Sequence, residues 1–378
     1  MNEKARPLFV INPGSTSIKL ACFLGKTCLE NEEYPLHARS NREALMQESE
    51  KRVRDTINTW GERVGSWQAI VSRGGLVKPM PAGVYQVSEE MCKDLEAERF
   101  GSHPSSIGPI LAFQLSRELS CPALVVDPPS TDEFSDLARI SGTPLIERRS
   151  AFHALNQKAA ARHVADLLGK PYEDSKFVVA HLGGGITVGA HNYGRVVDAT
   201  HGLGEGPMTP ERAGDLPSLG LVELIFHRLE GLMDGQNVSG PGSGGEKPCL
   251  PAHRLGEVKA SIISDLVGGG GISAYLGTKD IRLIEKQERE GCAESEKLLE
   301  ALAYQIAKSV GAMAAVLQEG IDAVVLTGGL TRSETMVQRI KNRVSFLAPV
   351  FIAPENEMQA LALGALEALA GRQPLLNY

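Results

Sequence analysis

No stretch of eighteen apolar residues occurs in the chain, so it offers no candidate membrane span. Its beginning, MNEKARP, has no signal-peptide apolar core, which leaves the cytoplasm as the expected location. The cysteines, Cys22, Cys28, Cys92, Cys121, Cys249 and Cys292, are scattered without a C-x-x-C pair. In a chain of 378 residues they read as separate reduced thiols, not as a disulfide frame or a zinc site. The nine histidines show no H-E-x-x-H or other close ligand spacing, so no structural metal is expected. Positive charge is in short supply: 39 Lys and Arg against 46 Asp and Glu leave a net −7. That balance argues against a nucleic acid or an anionic membrane as partner, while leaving room for a local basic pocket. The standard nucleotide fingerprints are missing too. Gly25-Lys26-Thr27 resembles the end of a P-loop, but the first glycine of that motif would fall on Leu20. Gly240-x-Gly242-x-x-Gly245 lies in a Gly/Ser/Pro-rich stretch, 231–251, with no strand before it, and reads as low complexity.

What is present is a repeated α/β pattern. The length calls for two domains or two fused halves. Residues 8–12 and 17–23 read as a strand and its hairpin partner, 69–72 and 123–127 as further strands. Helical patterns occupy 42–59, 89–98, 107–119 and 154–168. The opening arrangement then returns: a strand at 177–180, a small-residue loop, a strand at 186–190 and another at 195–198. A long helix at 294–318, a strand at 323–326, a helix at 334–343, a strand at 350–353 and a helix at 358–370 follow. The fold class expected is therefore α/β, with mixed sheets flanked by helices and duplicated halves.

Three glycine-rich turns each follow an apolar strand: Asn12-Pro13-Gly14-Ser15-Thr16-Ser17, His181-Leu182-Gly183-Gly184-Gly185 and Thr327-Gly328-Gly329. Each alone could be a plain hairpin turn. Together they look like phosphate cradles, because glycine lets backbone N–H groups approach an anion, and Ser15, Ser17 and Lys19 add hydroxyls and a charge. Arg73, between a strand end and Gly74-Gly75, and Arg212, in a Pro- and Gly-punctuated loop, suit a bidentate clamp on carboxylate or phosphate; ordinary ion pairs are the alternative. Asp127 ends a buried-looking strand, a common place for a functional carboxylate, though a cap before Pro128 explains it as well. His181, opening the triple-glycine loop, is the strongest histidine candidate for stabilising charge on a transferring group, with His103 and His153 behind it. Glu357 begins the last helix, where capping is the plain explanation.

These motifs resemble the acetate and butyrate kinase family, over residues from 8 to about 369. The stretches carrying the resemblance include VINPGSTSIKLACF, SRGGLVKPMPAGVYQV, RRSAFHALNQKAAARHVA, VVAHLGGGITVGAH, GEGPMTPERAGDLP and VVLTGGL. The butyrate kinase branch is favoured by the Asn-Pro-Gly-Ser-Thr-Ser loop, by Arg73-Gly74-Gly75-Leu76, by the run from Phe152 to Lys158 and by the triple glycine.

The resemblance implies two actin/ribonuclease H-like domains with a nucleotide cleft between them. The first would span 1–150 and the C-terminal helix 359–378, the second 151–358. It implies phosphorylation of butyrate by ATP with Mg2+, and a homodimer or larger homo-oligomer that binds no nucleic acid or membrane. By position it implies Asn12, Ser15, Ser17 and Lys19 as a first phosphate loop, with Asn12 near the metal. Gly183, Gly184 and Gly185 make a second such loop, with His181 facing the transferring phosphoryl group. Thr327, Gly328 and Gly329 would bind the adenosine. Arg73 and Arg212 would hold the acyl carboxylate and the γ-phosphate, with Asp127 in the active site. His103 and His153 would support them, and Glu357 would help position Mg2+. The stretch 231–251 departs from the family pattern. Other readings are a kinase for isobutyrate, propionate or acetate, and a non-catalytic nucleotide switch on the same fold. A dehydrogenase is disfavoured by the missing Rossmann fingerprint.

Overall fold

A computed structural model describes residues 6–14, 16–37, 42–234 and 252–378, with side chains at 231–234, 252 and 253 left aside. Ser15 and most of the Gly/Ser/Pro-rich stretch lie outside the described residues.

The first half begins with an antiparallel meander, β1 (Leu8–Pro13), β2 (Ser17–Leu24) and β3 (Thr27–Pro35). Helix α1 (Arg42–Val64) leads to β4 (Ala69–Arg73), parallel to β1; then come β5 (Val84–Gln86), α2 (Glu89–Glu96), α3 (Ile107–Leu119) and β6 (Ala123–Val126), parallel to β4. A single-turn α4 (Asp136–Arg139) and α5 (Ala154–Leu167) cross to the second half.

There the meander recurs as β7 (Lys176–Leu182), β8 (Ile186–Asn192) and β9 (Arg195–Ala199). Helices α6 (Ser218–Asp234), α7 (Ala252–Val267), α8 (Ile272–Leu276), α9 (Ile281–Arg289) and α10 (Ala293–Leu317) precede β10 (Ala323–Thr327). The chain closes with α11 (Glu334–Val344), β11 (Val350–Ile352), α12 (Glu357–Leu369) and β12 (Leu375–Asn377).

The two sheets repeat one topology. The five-stranded sheet runs β11-β10-β7-β8-β9; the seven-stranded one runs β12-β5-β6-β4-β1-β2-β3 and contains the same order, read in the same direction, as β6-β4-β1-β2-β3. The duplication expected from the sequence is thus present, and the first sheet carries two extra strands, β5 and β12, on one edge.

Both central strands are covered on both faces, which explains why they read as unbroken apolar runs. Alternate residues of β1 point to opposite sides. Phe9 and Ile11 join Val53, Ile57 and Trp60 of α1 and Ile110 and Leu111 of α3, with Phe9 edge-on to Trp60 at 5.7 Å. Leu8 and Val10 face Met358, Leu361, Ala362 and Ala365 of α12. In the second sheet Val178, Ala180 and Leu182 pack on Leu302, Ile306 and Val310 of α10, and Phe177 and Val179 on Ala160, Ala161 and Val164 of α5.

The helices between the sheets have changed sides. Helix α5 leaves the first half and packs on β7 and β10; α12 leaves the second half and packs on β1, β2, β4, β5 and β6, and the two helices touch. Strand β3, TCLENEEYP, escaped the sequence reading because it is a mostly exposed edge strand without apolar alternation. Among the described residues no helix is long and apolar enough to cross a membrane.

Candidate active site

The carboxyl end of β1 and the start of α12 meet first. Asn12 is buried, and its amide donates to Glu357 Oε2 at 2.7 Å; Arg73, at the end of β4, approaches Glu357 Oε1 at 3.5 Å. Burial pushes the Glu357 carboxyl up, but Arg73, the amides of Asn12 and Asn156 and nearby His181 outweigh it, so its pKa falls below the usual value. Glu357 is ionised at neutral pH. Two residues earlier, Glu355 moves the other way, raised by burial and by Glu357.

The end of β7 supplies His181, buried at 5% exposure. Its Nδ1 lies 3.4 Å from the amide nitrogen of Asn156, and that amide also reaches Glu355 Oε1 at 3.5 Å. His153, at the start of α5, stacks on His181 with ring centroids 4.0 Å apart and planes 22° from parallel. His103 caps the short 3-10 turn after Ser102, its Nδ1 accepting the Ser105 N–H at 3.1 Å.

Burial, then the positive charge of Arg73 and Arg212, pushes His103 down to about 4. His181 is also held at about 4, by burial first and the same arginines, against the opposing pull of Glu357. His153 is lowered by burial, by His181 and by both arginines. Both guanidinium groups therefore act on all three imidazoles, and all three are neutral at pH 7.

Arg212 is the least conventional of these groups. It has no ion-pair partner among the described residues. One Nη donates to the Gly202 carbonyl at 2.6 Å, and its buried Nε has no partner. The guanidinium lies on Gly185, where an added Cβ would sit 2.8 Å from Arg212 Cζ. The third glycine of the triple thus makes room for a desolvated, uncompensated positive charge. A half-buried cation in that state favours an anionic ligand.

The remaining candidates divide. Lys19, Arg332, Glu33, Glu355 and Glu357 line a cavity of about 310 Å3 between β2, β3 and the start of α12. Ser17 lies beside it, but its hydroxyl donates to Glu33 Oε1 at 2.5 Å. Thr327 is buried at the end of β10; Gly328 holds φ +96°, and a Cβ there would meet the Leu182 carbonyl at 2.5 Å, so the turn requires glycine. Gly183 N–H donates to the Gly185 carbonyl, closing the triple-glycine turn; Gly184 lies beside Glu211.

Asp127 has bonds of another kind. It adopts φ +39°, a left-handed conformation Asp tolerates better than most residues. Its Oδ1 accepts the Gly83 N–H at 2.9 Å and its Oδ2 pairs with Arg162 at 3.2 Å, so its carboxylate bonds neither Arg73 nor Arg212.

Comparison with known proteins reads the same way. The profile of the Acetokinase family matches residues 142–238 and 250–361. A probable butyrate kinase of Enterococcus faecalis is 41% identical over 98% of this chain and 97% of its own length. One of Listeria monocytogenes is 39% identical over 98% and 99%.

The chain belongs to the Acetokinase family.

Solved structures carry the fold further. The acetate kinase of Porphyromonas gingivalis superposes with a TM-score of 0.71 at 17% identity, covering 97% of this chain and 100% of its own. A propionate kinase from Francisella tularensis gives 0.70 at 17%, covering 95% and 98%. The fold of this chain is therefore the actin-like one that the family resemblance implied.

Four residues of the site went unread in the sequence. Asn156 and Glu355 bridge His181 to the start of α12, and Thr187 and Gln157 hold His153. A polar pair, Asn156-Gln157, on an alanine-rich helix was the available signal. Glu355 stands two residues before the glutamate that was singled out.

Among the described residues no three His, Cys, Asp or Glu side chains gather as a metal cage. The groups present nevertheless fit Mg2+ delivered with a nucleotide, which needs only one or two protein oxygens beside phosphate and water. Glu357 is ionised, and Asn12 spends its N–H on Glu357, which orients its amide without engaging its oxygen.

Proposed function

We propose that this protein transfers the γ-phosphoryl group of ATP to a short-chain carboxylate, with butyrate as the main acceptor, giving the acyl phosphate and ADP reversibly. The observation that carries this reading is the convergence of two guanidinium groups on three neutral imidazoles, with Arg212 half-buried, without a carboxylate partner among the described residues and with its buried Nε unbonded.

A carboxylate is already ionised at neutral pH, so the acceptor needs no strong base. What remains is to align the two anions and to neutralise the oxygens of the phosphoryl group in flight. Arg73 and Arg212 are suited to hold acceptor and γ-phosphate, and neutral His181 to offer a hydrogen bond without repelling the arginines. His103 and His153 line the same region. Lys19 and Arg332, across the 310 Å3 cavity, suit the nucleotide's phosphates, with Ser17, Gly183, Gly184 and Gly185 as further donors and Thr327, Gly328 and Gly329 toward the adenosine. Asn12 and Glu357 would hold Mg2+, which would supply charge neutralisation at the phosphates. Asp127 supports the site by fixing the end of β6 through Gly83 and Arg162.

The domains we assign are 1–150 with 359–378, and 151–358; a cytoplasmic homo-oligomer is part of the same reading. Hydroxylamine trapping tests the activity: with ATP, Mg2+ and acids of two to five carbons, a hydroxamate should form, fastest with butyrate. No hydroxamate with any acid would overturn the kinase reading in favour of a nucleotide switch. A faster rate with acetate or propionate would move the acceptor, since a pocket distinguishes one methylene by only about 1–3 kcal/mol.

A further inference from the structure

Helix α5 buries more polar atoms than its packing needs, and they connect. Gln157 and His191 are completely buried, as is Thr187. The Gln157 amide nitrogen lies 3.1 Å from the Thr187 carbonyl and 2.8 Å from Thr187 Oγ1. A carbonyl only accepts, so this end of the amide is the NH2 group and the other end is the oxygen. That oxygen lies 3.0 Å from His191 Nε2 and can only accept, so His191 carries its proton there. His191 Nδ1 then accepts from the Tyr172 hydroxyl at 2.8 Å. Burial, and then Lys158 and Arg162, hold His191 neutral, as this tautomer requires.

The other end of the chain reaches the active site. Thr187 Oγ1 accepts from Gln157 and, at 3.4 Å, from the backbone N–H of His153. Its own proton is therefore left for His153 Nδ1, 2.9 Å away. Every link points the same way: Tyr172 to His191, His191 to Gln157, Gln157 to Thr187, Thr187 to His153. We infer that this buried relay fixes His153 in the tautomer that carries its proton on Nε2, making Thr187 and Gln157 positioning residues for the phosphoryl transfer proposed above.

Among the described residues none bonds His153 Nε2, so that N–H is free for a ligand beside Arg73, Arg212, His103 and His181. A one-sided relay excludes the tautomer that would turn a lone pair toward the phosphoryl oxygens. The inference rests on the kinase reading for its purpose, but the tautomer itself can be read without turnover. In the 15N-histidine-labelled protein, long-range 1H–15N spectra should show His153 protonated at Nε2. Protonation at Nδ1 would overturn the relay whatever the activity proves to be.

Thr187→Val keeps the shape and removes the donor; it should shift that signature and lower kcat at least about tenfold, with KM for ATP changed less than about twofold. Thr187→Ser keeps the hydroxyl and should restore both. A valine variant that retains the Nε2–H signature and the wild-type kcat would equally overturn the assignment.

Discussion

The two halves of this protein share a strand order but use its first hairpin differently. In the first half the β1–β2 turn offers side chains, Ser17 and Lys19, over an open cavity shared with Glu33 and Glu355. In the second the β7–β8 turn offers no side chain beyond His181, and its glycines instead clear space that the Arg212 guanidinium fills. The crossing helices differ in the same sense. Helix α12 buries only apolar residues against the first sheet, whereas α5 buries Asn156, Gln157 and Lys158. One copy of the fold became an open wall that bears a hydroxyl and a lysine; the other became a closely packed electrostatic one.

That contrast predicts unequal sensitivity. Arg212→Ala, in the closely packed half, should lower kcat by about a hundredfold or more with the fold intact, the scale for losing one charge-stabilising donor; unchanged turnover would remove the basis for the contrast. Gly185→Ala should lower kcat roughly ten- to hundredfold by displacing that guanidinium, since misplacement of about 1 Å has such costs. A far-UV spectrum and melting curve near wild type would show that the loss is local.

The pH dependence of stability comes next. His103 is held at about 4, below its ordinary value, so the unfolded chain binds a proton there that the native one refuses. Stability should therefore fall as pH drops from about 6.5 toward about 4. His103→Asn, which keeps a cap acceptor, should flatten that slope in urea titrations at pH 7.5 and 5.0. The smallest effect belongs to the open half: Ser17→Ala should reduce kcat/KM for ATP by only about fivefold, near the worth of one hydrogen bond of ~1 kcal/mol. A loss as large as that of Arg212→Ala would show the two walls to be equals.

The parts legible in the sequence were those encoded locally. A buried strand, a turn of small residues and a returning strand are neighbours in the chain, so both hairpins, the Thr327 turn and the duplication could be read from periodicity. Arg73 and Arg212 stood out because glycine and proline fix the backbone around them. Strand β3 was hidden because an edge strand with exposed glutamates carries no burial pattern. Asn156 and Glu355 were hidden because 199 residues separate them and only the helix exchange brings them together. Asp127 was marked by its strand end, yet its bonds to Gly83 and Arg162 follow from side-chain directions that no spacing reveals.

The exchange of α5 and α12 has a consequence for how the protein is made. Leu8 and Val10 find most of their cover in Met358, Leu361, Ala362 and Ala365, and β12 joins the first sheet beside β5 after the whole second half has been synthesised. On the ribosome the first half must therefore wait with one sheet face bare until translation has passed the second. A chain stopped before α12 would leave that apolar face to water or to another chain, so the halves cannot be parted at their sequence midpoint into two soluble modules.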